Sequence, residues 1–461
     1  VRFNSLEFGV FLAVVFALAA LFKGRRRNVL LLLASYFFYG SWNPPFLLLL
    51  WFSTLLDFVC GGRIGKTDRR GVRTAYLMAS IVGNLGILFY FKYGNFFLDN
   101  IAFISGIDPE PFYLKVVIPL GISFYTFQSM SYTLDVFRRE TKPCRSFLDF
   151  SLYVTFFPQL IAGPILRASQ FLPQLRRTDP VRTDEILRGI ELFLVGLFKK
   201  VVVADNIALL ADRVFAEPTR FSAAAIALGS VAFAIQIYCD FSGYSTMARG
   251  LGSLFGFKLP RNFDYPLLRW NPLLIRQSWH MTMGRWFQDY VYRPMSRGRV
   301  GDVRFAFNII FNWMLLGLWH GASWHFVAWG LSNGVQLAAY LVVLRRKRWA
   351  LPEFPGKRFL GWCIIFSLWI PSAIFFRAGN MAEAWTMLVR LFSGAAGLHV
   401  AREWAFGMGL LGAVHFLSFR YYKEDLLQRL GWAGRVAAVS ATVLAIALLG
   451  ATGRPFIYFQ F

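Results

Sequence analysis

Long apolar runs closed by short basic clusters recur along the chain, a pattern that predicts membrane-crossing helices rather than the one-sided stripes of soluble helices. Spans are expected near residues 6–22, 76–93, 186–198, 223–239, 305–319, 326–343, 360–376, 406–419 and 436–449. Basic clusters at 23–27, 63–73, 138–145, 176–188, 249–304, 345–348 and 420–423 set the orientation, because Lys and Arg near span ends stay on the cytoplasmic side. With the first cluster inside, both ends of the chain are expected on the periplasmic side. The charge at Lys23-Gly24-Arg25-Arg26-Arg27 follows its apolar run, which reads as a retained span rather than a cleaved signal.

Proline and glycine interrupt this pattern at three points. The first two clusters both require the cytoplasm, so the apolar sequence between them crosses an even number of times. A hairpin turning at Asn43-Pro44-Pro45 satisfies this, although its first arm, Val29 to Trp42, is shorter than the roughly 20 residues a spanning helix needs. The same parity problem arises at Phe147 to Arg167, broken by Phe156-Phe157-Pro158 and Gly163-Pro164, and Val117 to Ser123 carries a similar break. Two readings stay open for both: a broken, re-entrant helix lining a cavity, or a proline kink inside an ordinary span. The expected fold is an all-α integral membrane bundle of roughly 11 crossings plus re-entrant helices. No repeat, low-complexity segment or soluble region interrupts it, so residues 1–461 are expected to form a single domain.

Composition changes this picture in one respect. A mean hydropathy of +0.48 and 56% hydrophobic residues agree with a membrane protein, but the net charge of +24 raises the question of nucleic acid. The basic residues lie in clusters between apolar runs, as in cytoplasmic loops, so a nucleic-acid partner is excluded. The four cysteines are far apart, without CxxC or Cys/His spacing, and neither a metal site nor a disulfide framework is expected.

The largest inward-facing basic stretch, residues 249–304, holds ten Lys or Arg against three acids, interleaved with aromatics such as Trp279, Trp286 and Tyr290. Such a mixture suits a helix lying in the headgroup layer. Lipid anchoring and the docking of an anionic cytoplasmic ligand both fit it. Beyond it, His320 lies in the apolar run Phe311 to Gly321, sixteen residues from Arg304, or about 24 Å along a straight helix. Asn308 and Asn312 share its side of the helix, which is expected to face the bundle interior or a tunnel. A neutral imidazole there is suited to take a proton from a hydroxyl attacking an acyl carbon, and a purely structural hydrogen bond fits the position as well. No GxSxG elbow or P-loop occurs, and His320 and His325 are spaced i,i+5 without a Glu, so they are not a zinc pair.

Four blocks make the chain similar to a known family: Ile118 to Arg138, Phe156 to Arg167, Asp240 to Tyr265, and Trp279 to Pro294 with Leu318 to Gly330. Together they resemble the membrane-bound O-acyltransferases, in the bacterial branch that holds the alginate O-acetylation membrane protein and the D-alanyl transfer protein of teichoic acid modification. The ending Pro455 to Phe461 resembles the alginate side of that branch. The resemblance implies a bundle enclosing a tunnel, with His320 as the catalytic base and His280 as a second essential residue near the cytoplasmic mouth. Trp279 and Trp319 beside the histidines, Asn312 on the side of His320, and Asp240 at the head of the third block are the expected substrate-binding residues.

It further implies a bacterial inner-membrane enzyme that passes an acyl group, most simply acetyl, from acetyl-CoA or another cytoplasmic thioester toward an exopolysaccharide such as alginate. No bound cofactor is expected. The expected partners are membrane lipid, a periplasmic acetyltransferase and polysaccharide assembly proteins. The alternatives are D-alanyl transfer from an acyl carrier protein and a non-catalytic donor channel or scaffold. The chain departs from the family pattern at Gln277-Ser278, where Arg-Arg is usual before Trp-His, at Ser296-Arg297, where a Gly-Gly pair is usual, and at Thr246, where an acid is common. These positions lie on the expected cytoplasmic face and bear on donor recognition or partner docking more than on the chemistry.

Overall fold

The computed structural model of the chain describes residues 3–298, 300–346, 356–419, 430–451 and 454–457. Among these residues the chain is helical almost throughout, and an isolated bridge between Phe221 and Leu398 is its only β-type pairing. Six helices are long and apolar enough to cross a membrane: Pro44–Gly65, Arg70–Ser105, Ala223–Leu254, Trp324–Arg346, Lys357–Arg377 and Trp432–Leu449. This is the all-α, multi-span architecture expected; the count of roughly 11 crossings also takes in helices that are shorter or more polar than these six. The helices Thr183–Phe198 and Arg402–Leu417 have 16 residues each, and Asp302–His320 carries two asparagines and a histidine within 19. Residues 347–348 and 420–423 of the basic clusters, Arg299, and the last four residues of the C-terminal block lie outside the described residues.

The chain divides into two compact units, Val1–Phe193 with Tyr244–Arg261, and Leu194–Gly243 with Asn262–Phe461. In the first, the hairpin at the proline pair is formed by Gly24–Gly40 and Leu47–Gly65, joined by the short 3-10 turn Pro44–Phe46. Both interrupted segments of this unit are breaks rather than kinks. The helix Phe147–Thr155 stops, the four-residue helix Phe157–Leu160 follows, and the backbone then runs unwound and buried to Leu166. Side chains satisfy its polar groups: Phe157 N–H donates to Ser35 Oγ at 3.0 Å, Leu166 N–H to Gln128 Oε1 at 3.2 Å, and Tyr153 Oη to the Leu166 carbonyl at 3.0 Å. Non-helical backbone survives in an apolar bundle only with such partners. The second break ends at Gly121, whose φ of +71° caps the helix Ile122–Phe137 and whose missing Cβ would lie 2.7 Å from the Leu160 carbonyl.

A buried carboxylate fastens three helices of this unit. Asp57 accepts hydrogen bonds from Ser80, Ser129, Asn84 at 2.8 Å and Thr133 at 2.9 Å. Four donors make an acid tolerable inside an apolar bundle, where an unpaired one would cost several kcal/mol.

The second unit is built on the helical hairpin Asp302–His320 and Trp324–Arg346. Its arms pack backbone to backbone, since a Cβ on Gly317 would collide with the Phe326 carbonyl and one on Gly330 with the Trp313 carbonyl. Ile309, Leu337 and Ala338 form the buried core of this packing. Around it the basic stretch folds as short pieces, Pro272–Ser278, Met281–Phe287, the π-helical turn Gln288–Tyr292 and Arg293–Met295. The sequence suggested one helix in the headgroup layer. The pieces break instead at Trp279-His280, and Trp286 and Phe287 turn inward and are buried.

Candidate active site

His280 owes its position to an unusual backbone. It takes a left-handed conformation, φ +40°, between two short helices, and a side chain held there is strained and needs support from its surroundings. Asn262 supplies that support. Its carbonyl accepts from Met281 N–H at 2.8 Å, and its Oδ1 accepts from the N–H of Thr282 at 3.1 Å and from Thr282 Oγ1 at 2.9 Å, so that it caps the helix after the break. The buried imidazole meets Phe241 edge-on, ring centroids 4.6 Å apart, and Trp319 at 5.9 Å.

His320 is the last residue of its helix, fixed by the turn at Gly321. Its ring is buried among Trp319, Trp329 and Phe376, with centroids at 4.8, 5.1 and 5.1 Å. Aromatic walls of this kind keep water away from an imidazole.

Both histidines line one cavity of the second unit, with an empty volume of about 920 Å³ including its open mouth. Its walls are mainly aromatic and aliphatic, with a few polar groups, as is usual for pockets that hold small ligands. Asn312, Leu316 and His320 follow one another at four-residue intervals along the wall, a run of about 12 Å at 1.5 Å per residue. The Oδ1 of Asn312 is buried with no hydrogen-bond partner among the described residues. Such an acceptor inside a cavity is suited to receive a donor from a ligand. Arg276 lines the same wall and, among the described residues, bonds from Nη2 to the Gly284 carbonyl at 3.2 Å and to Gln288 Oε1 at 2.8 Å.

Residues 74–382 match the membrane-bound O-acyltransferase family. The chain is 39% identical to a probable alginate O-acetylase of Azotobacter vinelandii, over 83% of this chain and 76% of that protein. It is 34% identical to a peptidoglycan O-acetyltransferase of Helicobacter pylori, over 81% and 75%. A teichoic acid D-alanyltransferase of Bacillus subtilis is more distant, 26% identical over 53% of this chain and 64% of that protein. This chain belongs to the membrane-bound O-acyltransferase family. It is therefore a multi-pass membrane O-acyltransferase.

Of the residues the sequence singled out for this acyltransferase, His280, His320, Trp279 and Asn312 come together on the cavity wall. Trp319 stands between the two histidine rings rather than on the wall. Asp240 lies apart, in a buried ion cluster with Lys200. Asn308, expected on the tunnel side, ties its helix to the basic stretch by donating to the Met295 carbonyl at 3.1 Å and Ser296 Oγ at 3.0 Å. His325 has a structural partner in the Phe375 carbonyl, 2.9 Å from Nδ1.

Three polar lining residues escaped the sequence reading of the site. Arg276 belongs to the basic stretch for which the sequence allows lipid anchoring or ligand docking, without marking it as a lining residue, and Asn333 and Ser372, which share a hydrogen bond of 2.9 Å, read in sequence as ordinary span positions. A polar side chain inside an apolar run was the available signal for these last two. Among the described residues no group of His, Cys, Asp or Glu is arranged to hold a metal ion.

Proposed function

We propose that this acyltransferase takes an acetyl group from acetyl-CoA or another cytoplasmic thioester and delivers it through the inner membrane for O-acetylation of an exopolysaccharide such as alginate. A hydroxyl enters the cavity from the outer side and gives its proton to His320. Its oxygen bonds to the acyl carbon, the carbon–sulfur bond breaks, and the thiolate leaves toward the inner side, where His280 supplies a hydrogen bond. Arg276 and Asn312 hold the donor, Trp279 walls the passage, Trp319 separates the two histidine rings, and Asp240 acts through its ion cluster rather than on substrate. The immediate acceptor is a periplasmic acetyltransferase working with polysaccharide assembly proteins. Residues 1–461 act as one catalytic domain, since the family match takes in parts of both units.

One observation supports this most: two buried histidines on the wall of a single, largely apolar cavity that also presents the amide oxygen of Asn312, unsatisfied among the described residues. A base there works without competing water. The relatives named for O-acetylation match more closely and over more of the chain than those named for D-alanyl transfer, which favours acetyl as the group moved.

The test is acetyl transfer by the purified, reconstituted protein from radiolabelled acetyl-CoA to a soluble acceptor. His320→Ala protein that folds like the wild type and no longer transfers label supports the reading, and unchanged transfer by that variant would falsify it.

A further inference from the structure

Outside the lining of the cavity, the second unit buries a cation with two acids. Lys200 lies in the π-helical turn Lys199–Ala204 and pairs with Asp205 and Asp240, each at 2.8 Å. A π-helical turn is an irregularity most often retained where function needs it. Buried ion clusters contribute little net stability against an apolar replacement, which directs attention to what this one holds in place.

What this cluster fixes is the segment 454–457. Lys200 Nζ donates to the Pro455 carbonyl at 3.2 Å, and Asp240 Oδ2 accepts the Ile457 N–H at 2.7 Å. Upstream, Arg454 donates to Asp212 at 2.5 Å, and Ala451 N–H to the Val201 carbonyl at 2.9 Å. Between the clamped residues, Phe456 is buried and packs against Phe241, centroids 5.8 Å apart. Phe241 in turn meets the His280 ring at 4.6 Å. A line of contact thus runs from the ion cluster through Phe456 and Phe241 to His280, whose strained backbone leaves its ring dependent on such backing.

We propose that the segment Arg454–Ile457, clamped by Lys200 and Asp240, is a positioning strap that sets the ring of His280 through Phe456 and Phe241. The strap touches no substrate. The proposal rests on the reading that His280 takes part in acyl transfer.

The experiment uses the full chain, labelled with ¹³C and ¹⁵N on its five histidines and reconstituted in lipid. The His280 resonance is assigned by its disappearance in His280→Gln. In Phe456→Ala that resonance is expected to shift or broaden while those of His325 and His399 stay in place, with kcat for acetyl transfer falling roughly 10- to 100-fold, as for a misplaced catalytic group, and KM for the donor little changed. Phe456→Leu, which keeps most of the bulk, is expected to move the same resonance less and to recover part of the rate. A His280 resonance unmoved in both variants overturns the strap, as does a shift of all five resonances together, which marks general loosening. If His280→Gln transfers acetyl at the wild-type rate, the catalytic role of His280 falls, while the resonance shifts still decide whether the strap sets its ring.

Discussion

At the level of single residues, the two histidines differ in how they are held, and that difference predicts how each fails. His320 ends a regular helix and packs among aromatic rings, so its removal takes away the proposed base without disturbing the backbone. His320→Ala is expected to lower kcat about 10²- to 10⁴-fold, the range for a general base, with thermal unfolding in detergent close to wild type. The proposed role of Arg276 is in binding. With Nη2 engaged by Gly284 and Gln288, its Nε and Nη1 are left for an anionic or carbonyl group of the donor. Arg276→Gln is expected to raise KM for acetyl-CoA about tenfold, equivalent to about 1.4 kcal/mol, with a smaller effect on kcat. If KM stays at the wild-type value across a salt series, Arg276 only braces Gln288, since a partly buried contact is screened little by salt.

At the level of elements, the cavity depends on how closely the arms of the Asp302–Arg346 hairpin approach. Gly330→Ala pushes a methyl group against the Trp313 carbonyl and is expected to destabilise the protein by roughly 1–3 kcal/mol, the usual cost of overpacking, read as a lower midpoint of thermal unfolding in detergent. Gly412→Ala, in the helix Arg402–Leu417 with nothing within 4 Å of the added carbon, is expected to leave that midpoint unchanged. The hairpin itself was legible in the sequence, because two apolar runs flank Gly321-Ala322-Ser323 and observed boundaries fall within a few residues of the expected ones. His320 was legible as an ionisable ring in an apolar run, and His280 through the motif block that carries the family resemblance. The position of Asp240 was not. Its partners are Lys200, forty residues before it, and Ile457, far downstream, and no periodicity connects residues that only tertiary folding brings together. Asn333 was hidden for a related reason, since its value comes from Ser372 on another helix and from the cavity they share.

At the level of the whole molecule, the proposed reaction requires donor and acceptor to arrive from opposite faces of the membrane, and the Asp302–His320 helix is where this requirement can be tested. Its 19 residues span about 28 Å at 1.5 Å per residue, close to the roughly 30 Å of a hydrocarbon core. Arg297 lies exposed before its start, among the basic residues that favour the cytoplasm, and Trp324 lies exposed just after its end. In a background with the four native cysteines replaced, Arg297→Cys and Trp324→Cys are expected to react with a membrane-impermeant maleimide from opposite sides. In spheroplasts that expose only the outer face, Trp324→Cys is labelled at once and Arg297→Cys only after the membrane is opened. The reverse order would put the basic stretch outside and remove the route by which a cytoplasmic thioester reaches Arg276. Labelling of both cysteines from one face would mean that the helix does not cross, and His320 would then lie on the same side as the donor. The expected order leaves the two histidines between the two faces, so that an acyl group meeting them has already travelled part of its path across the membrane.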